Sequence, residues 1–273
     1  MGMLDTMLDT ILNINPERIA VAEFFGAIGS PEKTTSFVRM LKAIEENKRI
    51  RALVIDIDSP GGGAGASEQI HASIAKVAKE KPVVAFVRGT AASGGYMAAC
   101  ACTKIISLPM GIVGSIGVIS MRPMLYEMLE KLGVRMEITK SGRLKDMFSN
   151  FREPTAEERE KEQAILDSVY GRFVGMVAQS RGIPAERIRE LATGELFTAD
   201  QAKEHGLIDD LGDMDAAIDL AQSLANMPQR KVSYIRPHRS LRERLLTGTS
   251  TGLVDSLAWA LEDRLGARTL QLK

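Results

Sequence analysis

Mostly apolar runs alternate with amphipathic stretches along the first part of the chain. The run Arg18–Gly29 ends in glycines, as a buried strand would, and Ser30-Pro31 then opens a stretch with apolar residues at helical spacing. The same order repeats as a strand at Arg51–Asp58, a helix at Ser67–Lys79 and a strand at Pro82–Val87. Strands rich in β-branched residues that alternate with helices predict a parallel sheet buried on both faces.

The rest of the chain is predicted to pass from short strands to helices. Short strands are expected at Lys104–Leu108, Ile112–Ser120 and Met136–Lys140, with a helix near Pro123–Leu132. Ser141–Pro154 has no clean period, which predicts a long loop. A long helix with a charged first turn follows, and shorter helices are expected near Glu186–Ala192, Ala199–His205 and Met214–Leu224.

The two ends of the chain differ from its middle. Met1–Asn15 has a short amphipathic pattern without the basic start of a signal peptide. Beyond Pro228 we expect a strand at Val232–Ile235, a basic stretch and an amphipathic helix at Leu253–Leu265, which we interpret as an appendage for assembly or docking. We therefore divide the chain into an N-terminal segment (1–17), a main domain (18–228) and a C-terminal appendage (229–273).

Composition and charge exclude several classes of protein. The 273 residues are 45% hydrophobic and 26% charged, which is typical of a soluble globular protein. Basic and acidic residues both total 35, so we expect no nucleic-acid partner. No stretch approaches the roughly 20 apolar residues that span a bilayer. We expect a protein that is cytoplasmic or peripheral to a membrane, with neither a transmembrane segment nor a signal peptide.

The two cysteines, Cys100 and Cys102, lie in an apolar run. They lack the spacing and the companion ligands of a zinc site. We interpret them as small buried residues that pack a helix. Nothing else in the sequence calls for a metal or an organic cofactor, and we expect none.

A glycine-rich turn is the first candidate for chemistry. Asp58–Gly63 (DSPGGG) lies where a buried strand gives way to a helix, and its consecutive glycines leave N–H groups that a ligand can approach closely. These are the features of an oxyanion hole. Two alternatives stay open, a merely structural turn and a dinucleotide site, since Gly61, Gly63 and Ala66 fit G-x-G-x-x-A. The next strand ends in Val87-Arg88, without the acid that would hold a ribose.

A second junction between a strand and a helix, Ala91–Tyr96, carries a serine flanked by small residues. Ser93 has the setting of a nucleophile elbow, although the sequence is not G-x-S-x-G. The helix behind it would place the Gly94 N–H beside a developing oxyanion. An N-cap role for Ser93 is the alternative.

A serine nucleophile needs a general base, and three histidines are available. None of His71, His205 and His238 is an evident triad member, and His205 beside Gly206 is interpreted as a helix C-cap. A lysine serves instead when burial lowers its pKa, because the neutral amine accepts the hydroxyl proton. The irregular loop contains such a candidate at Lys145, for which a solvated surface role is the alternative.

Four motifs together resemble the signal peptide peptidase A family of bacterial and archaeal serine peptidases. They are DSPGGG, AASGGYM, VGSIGV and KSGRLKD followed by FREPTAEE, in that order and spacing. The similarity runs from about Phe24 to Gly212 and includes the later ELFTADQAKEHGLIDDLG. The resemblance implies an α/β fold of the Clp protease/crotonase-like type, a spiral of repeated ββα units with a helical C-terminal portion.

The resemblance also implies a Ser/Lys dyad. Its nucleophile corresponds to Ser93 and its general base to Lys145 in the S-G-x-x-K-D element. The oxyanion hole corresponds to Gly62 and Gly94. Ser115 in VGSIGV corresponds to a hydroxyl that orients the lysine amine.

Substrates and assembly are expected from the same resemblance. The substrates would be peptides, either remnant signal peptides or other short or unfolded chains. Gly61, Gly63 and Gly26 are expected to bind the substrate. The edge at Phe24–Gly29, which contains Gly26, can pair with a peptide backbone by strand addition. Members of the family form homo-oligomeric rings or domes in which neighbouring subunits supply the serine and the lysine. Many carry an N-terminal membrane anchor, and here we expect peripheral membrane contact at most.

Two other functions are compatible with the same fold. A crotonase-like acyl-CoA enzyme shares the oxyanion-hole architecture, but it would need a carboxylate near the glycines and would leave Ser93 and Lys145 without a purpose. A catalytically inactive scaffold would assemble around membrane partners through its C-terminal helix.

Overall fold

The computed structural model describes residues 17–236 of the chain. The expected amphipathic segment at the N-terminus, the C-terminal helix at 253–265 and His238 lie outside the described residues. Within residues 17–236 the elements follow in the order β1 (Arg18–Phe25), α1 (Pro31–Glu46), β2 (Ile50–Ser59), α2 (Ala64–Glu80), β3 (Val83–Ala92), α3 (Gly94–Cys100), β4 (Lys104–Ser107), β5 (Ile112–Gly114), α4 (Tyr126–Lys131), α5 (Ala156–Arg181), α6 (Ala185–Leu191), β6 (Leu196–Thr198), α7 (Ala199–Glu204), β7 (Asp210–Leu211), α8 (Met214–Leu224) and β8 (Val232–Ile235).

All of these strands belong to one sheet. Its order is β6-β5-β3-β2-β1-β8, and β4 pairs with β3 and β7 beside this path. The pairs are parallel except for β5 with β6, which confirms the expected parallel sheet. The strand β3 runs further than the sequence indicated, so that Val84–Val87 pairs with β4 while Thr90–Ala92 pairs with β5.

Helices bury both faces of the sheet, as the apolar strands predict. Alternate residues of β1 face opposite sides. Ala20 and Phe24 belong to the larger core cluster, where the Phe24 and Phe37 rings lie 4.9 Å apart. Val21 belongs to a second cluster that includes Ile218 of α8. Two-sided burial holds the central strands firmly, and the carboxyl ends of β1, β2 and β3 therefore form a fixed edge.

Side-chain caps begin several of the helices, among them α1 and α5. Ser30 is the N-cap of α1, and its hydroxyl accepts a hydrogen bond from the Lys33 N–H at 3.4 Å. The long helix α5 begins with a capping box in which Thr155 and Glu158 each accept the other's backbone N–H. The helix start at Ser30-Pro31 was expected from the sequence, whereas the capping box at Thr155 was not predicted.

Two strand predictions in the middle of the chain are wrong. Met136–Lys140 is not a strand, and β5 ends at Gly114 instead of Ser120. Met136 and Ile138 are 48% and 41% exposed, and no strand within residues 17–236 pairs with their backbone. An alternating pattern shows that a segment suits a strand, but not that a partner strand is available.

The strand expected at Val232–Ile235 is confirmed as β8, which pairs with β1 at the edge of the sheet. The sheet thus extends beyond residue 228, where we drew the end of the main domain. The very short strands β6 and β7 were not expected, because two or three residues are too few to show a period.

Candidate active site

The candidate residues gather where three parallel strands end. Gly26 follows β1, the turn Pro60–Gly63 follows β2, and Ser93 follows β3. Because β1, β2 and β3 are hydrogen-bonded neighbours, their carboxyl ends meet at one edge of the sheet. Segments that are far apart in the sequence therefore become one surface.

Ser93 has a strained backbone at the junction of β3 and α3. Its φ of 50° and ψ of −120° are unusual for a residue with a side chain. It occupies the N-cap position of α3, but its hydroxyl makes no capping hydrogen bond. Within residues 17–236 the Ser93 hydroxyl has no hydrogen-bond partner. The N-cap alternative therefore does not account for this side chain, and strain of this kind is typical of functional sites.

The glycine turn leaves one of its three glycine N–H groups without an acceptor. The Gly61 N–H donates to the Ser59 hydroxyl at 3.2 Å, and the Gly63 N–H donates to the Ile28 carbonyl at 2.8 Å. No atom of residues 17–236 accepts a hydrogen bond from Gly62. The glycine that the family resemblance assigns to the oxyanion hole is thus the one with a free donor. Of the three glycine N–H groups, only that of Gly62 could donate to the phosphate of a dinucleotide, which disfavours the dinucleotide site.

The start of α3 packs tightly against this turn because both are built from glycines. A Cβ on Gly61 would lie 2.6 Å from the Gly94 nitrogen and 2.8 Å from the Ser93 Cβ. A Cβ on Gly95 would lie 2.5 Å from the Ser59 carbonyl oxygen. As the first residue of α3, Gly94 has no intrahelical acceptor for its N–H. The donors of Gly62 and Gly94 therefore lie in adjoining elements beside Ser93.

Ser115 lies next to the nucleophile candidate along the sheet. The parallel register pairs Ala92 of β3 with Gly114 of β5, so Ser93 and Ser115 are the residues that directly follow these partners on the two strands. The backbone N–H of Ser115 donates to the Glu195 carbonyl at 2.6 Å. Both serines have a φ of 50°, and among residues 17–236 the one other non-glycine residue with positive φ is Asn226. The structure thus brings these two predicted site residues together.

Gly26 is bound to the same turn. It has a φ of 81° and donates its N–H to the Asp58 carbonyl at 2.8 Å, and its own carbonyl accepts a hydrogen bond from the Ser59 hydroxyl at 2.7 Å. The bridge between Ile28 and Gly62 continues this contact in parallel orientation. The segment after β1 therefore lies beside the turn, as a substrate-binding edge at this position requires.

Lys145 does not join these residues within the single chain. It is exposed, in an irregular loop where its backbone N–H donates to the Gly142 carbonyl at 3.1 Å. In the part of the chain that the structure describes, no hydrogen bond or ion pair reaches its ammonium group. The expected loop over 141–154 is confirmed, but no hydrogen bond joins Lys145 to Ser93 within residues 17–236.

An ion-pair network anchors the residue next to Lys145. The Asp146 carboxylate accepts a hydrogen bond from Arg152 Nε at 2.7 Å and pairs with Lys140. Arg152 also reaches the buried Glu158 carboxylate at the start of α5, over 2.8 Å. The guanidinium lowers the pKa of Glu158 to about 2, and it holds the pKa of Asp146 well below its usual range. The sequence motif FREPTAEE contains this arginine and glutamate, but the pattern did not reveal their role.

The histidines that the structure describes serve other purposes. The Met97 carbonyl can only accept, so the His71 Nδ1–H must donate the 2.8 Å bond between them. Burial lowers the His71 pKa. His205 is the C-cap of α7, as predicted. Neither ring is hydrogen-bonded to Ser93.

The cysteines are packing residues, as expected. Cys100 and Cys102 are both buried at the end of α3 with free thiols. Burial raises the pKa of the Cys100 thiol to about 12, and it also raises that of Cys102. Both are therefore protonated, unreactive core side chains at neutral pH.

Comparison with known proteins identifies the family. The model of peptidase family S49 matches residues 75–228, and the Clp protease model matches residues 19–113. The chain belongs to peptidase family S49. It is a serine-type peptidase with the Clp-like α/β fold. The predicted enzyme class and the predicted fold class are both confirmed. No helix in residues 17–236 has the length and apolar character needed to cross a membrane.

Similar proteins match most of this chain but different shares of their own length. A Synechocystis protein with a protease name is 38% identical, over 89% of this chain and 91% of its own length. The chloroplastic serine protease SPPA of Arabidopsis thaliana is 33% identical, over 83% of this chain but 34% of its own length. A solved structure of a mutant of the 1510-N membrane-bound stomatin-specific protease superposes with a TM-score of 0.54 at 20% identity, over 82% of this chain and 99% of that one.

Proposed function

We propose that this S49 peptidase is an endopeptidase in which Ser93 is the nucleophile and Lys145 the general base. The observation that carries the proposal is that two N–H donors without an acceptor in residues 17–236, those of Gly62 and Gly94, belong to packed elements that also contain Ser93, a strained serine with an unengaged hydroxyl. Such donors stabilise the oxyanion of an attacked carbonyl, which is the largest single contribution in many acyl transfers.

The proposed reaction is a double displacement. Neutral Lys145 removes the Ser93 hydroxyl proton as Oγ attacks the peptide carbonyl, and the oxyanion is held by Gly62 and Gly94. The lysine then protonates the leaving amine as the C–N bond breaks, which leaves an acyl-enzyme. Water attacks the ester with the same lysine as base, and the acid product leaves while Ser93 regains its proton.

A neutral lysine requires an apolar surrounding, which the exposed Lys145 loop lacks in a single chain. We therefore propose that a neighbouring subunit supplies it, in a homo-oligomeric ring or dome. Exposed apolar side chains support this idea: Ile119, Met121 and Leu132 are 81%, 88% and 68% exposed. All three lie within residues 119–132, and large exposed apolar side chains commonly mark protein interfaces.

The proposed substrates are peptides bound in extended form. Gly61, Gly63 and Gly26 would flank the peptide backbone, and the small residues allow close approach. One relative, from Enterococcus faecium, bears a signal peptide peptidase name, so remnant signal peptides are one proposed class and other short or unfolded chains the second. The alternative of an acyl-CoA enzyme would use a carboxylate near the glycines, of which Asp58 is the adjacent one, but it would leave Ser93 and Lys145 without a role.

The test is hydrolysis of a fluorogenic peptide library by the wild type, Ser93→Ala and Lys145→Ala. Lys48→Ala serves as a control, since Lys48 is also an exposed lysine outside the site. We expect activity and fluorophosphonate labelling of Ser93 in the wild type and the control, and loss of hydrolysis in both site variants with assembly intact by light scattering. Full activity of Lys145→Ala would overturn the dyad.

Coexpression tests whether the dyad forms between subunits. Mixed oligomers of Ser93→Ala and Lys145→Ala chains contain some sites with an intact serine and an intact lysine if the two come from different subunits. We then expect partial activity in the mixture, although each variant alone is inactive. A mixture as inactive as its components would place both residues in one subunit.

A further inference from the structure

Ser67, a residue of α2, contacts both elements that carry the proposed oxyanion donors. Its side chain is completely buried, and its hydroxyl donates a hydrogen bond to the Gly63 carbonyl at 2.9 Å. A Cβ on Gly94 would overlap with the Ser67 hydroxyl oxygen. The same hydroxyl thus bonds to the residue after Gly62 and packs directly against Gly94.

The two donors come from separate elements. Gly62 belongs to the turn after β2, whereas Gly94 begins α3, and 32 positions separate them in the sequence. Their relative placement therefore depends on noncovalent packing between the turn, α2 and α3. Donors of this kind act only when they stand about 2.7–3.1 Å from the oxyanion position, so a small shift of either one weakens them.

We propose that Ser67 is a positioning residue, which sets the spacing of the Gly62 and Gly94 donors without contacting the substrate. This inference rests on the proposed function of those two glycines. The hydroxyl acts as a spacer between α2 and α3 and as a tether of the glycine turn. Without the hydroxyl, the Gly62 and Gly94 N–H groups can shift relative to one another.

The variant Ser67→Ala isolates this role because the fold should tolerate it. The Gly63 carbonyl keeps a second hydrogen bond, from the Ser67 backbone N–H at 3.0 Å. Alanine is also a better helix former than serine. We expect kcat to fall by about 10-fold or more while KM changes by less than about 2-fold, since only the transition state carries the oxyanion.

The chain offers a matched control on the same helix. The Ser73 hydroxyl donates to the Gln69 carbonyl at 2.8 Å, the same four-residue back-bond that Ser67 makes to Gly63. Ser73→Ala removes that bond away from the site, so we expect an unchanged kcat. An equal loss of kcat in both variants would overturn the proposal in favour of a general effect on α2.

A second pair of variants tests the contact between Ser67 and Gly94 directly. Gly94→Ala introduces a methyl group into the space of the Ser67 side chain, and we expect it to lower kcat strongly. Ser67→Gly in the same chain removes both overlapping atoms, so the double variant should recover part of the activity lost by Gly94→Ala. If the fold-losses of kcat in the two single variants simply multiply in the double variant, the result would contradict a shared contact between Ser67 and Gly94.

The outcomes separate this inference from the proposed function. If the wild type neither hydrolyses peptides nor labels at Ser93, both fail. If the wild type is active and depends on Ser93 and Lys145, but Ser67→Ala keeps its kcat, only the positioning role is overturned. A selective loss of kcat, with Ser73→Ala unaffected and partial rescue in the double variant, supports it.

Discussion

Ser93 donates its backbone N–H to the Gly114 carbonyl over 2.8 Å, which attaches the proposed nucleophile to the end of β5. Gly114 has a φ of 109°, and a Cβ there would lie 2.8 Å from the Phe197 ring and 2.9 Å from the Glu195 carbonyl oxygen. The position of the nucleophile therefore depends on a glycine that is remote from it in the sequence.

Replacing this glycine should disturb both stability and catalysis. We expect Gly114→Ala to lower the free energy of unfolding by about 1–3 kcal/mol, because it adds backbone strain and overlap. Hydrolysis should fall as Ser93 shifts. Denaturant melts and peptide assays measure the two effects, with Gly175→Ala as the control, since a Cβ on Gly175 meets nothing within 4 Å. Equal stability of the two variants would be evidence against this view of Gly114.

The free donor in the glycine turn gives a second prediction. A Cβ on Gly62 would overlap with the Ile28 carbonyl, and its φ of 155° disfavours any side chain. We expect Gly62→Ala to abolish detectable hydrolysis because the turn must move away from Ser93. Gly65→Ala, at an open position in α2, should retain activity and gain about 0.5–1 kcal/mol of stability. An active Gly62→Ala enzyme would remove this donor from the mechanism.

The ion-pair network beside Lys145 should stabilise the folded protein at neutral pH but not in acid. Arg152→Met leaves the buried Glu158 carboxylate without its cation, so we expect a lower melting temperature and less hydrolysis at pH about 7. The lowered carboxylate pKa values mean that this stabilisation is complete above the ordinary glutamate pKa of about 4.3 and is lost as the pH falls through about 2.

Melting curves from neutral pH down to about pH 2 check this prediction. The difference between the wild type and Arg152→Met should narrow steadily in acid. Arg172→Met is the control, because its exposed pair with Glu68 contributes little to stability. A difference in melting temperature that is independent of pH would show that Arg152 acts by packing alone.

The buried thiols give a simple test of the packing around α3. Because burial raises the pKa of Cys100 to about 12, the thiolate is scarce at pH about 8. We expect neither Cys100 nor Cys102 to react with iodoacetamide in the folded protein, and both to react in concentrated urea. Mass spectrometry of the labelled peptides measures this. Rapid labelling of the native protein would mean that α3 is open to solvent.

Local patterns predicted much of the fold. The alternation of strands and helices, the Ser30 cap and the C-cap at His205 depend on residues within a few positions of one another, so the sequence contains their whole cause. The strand proposed at Met136–Lys140 failed for the opposite reason. Strand formation needs a partner strand, and whether one lies beside these exposed residues is decided by the assembled sheet, which offers none within residues 17–236.

The sequence by itself determined the alternating strands and helices of the first part of the chain, most of the later helices and the motifs that stand at the ends of strands. Only the tertiary structure decided that Ser59 and Ile28 take the neighbouring glycine N–H groups and leave Gly62 free, and that Ser67 reaches Gly94. The tertiary structure also leaves Lys145 exposed and without a hydrogen bond to the serines and glycines of the site in residues 17–236. The physical reason is that hydrogen-bond occupancy and close packing depend on distances across the fold, whereas caps and periodicity depend on distances along the chain.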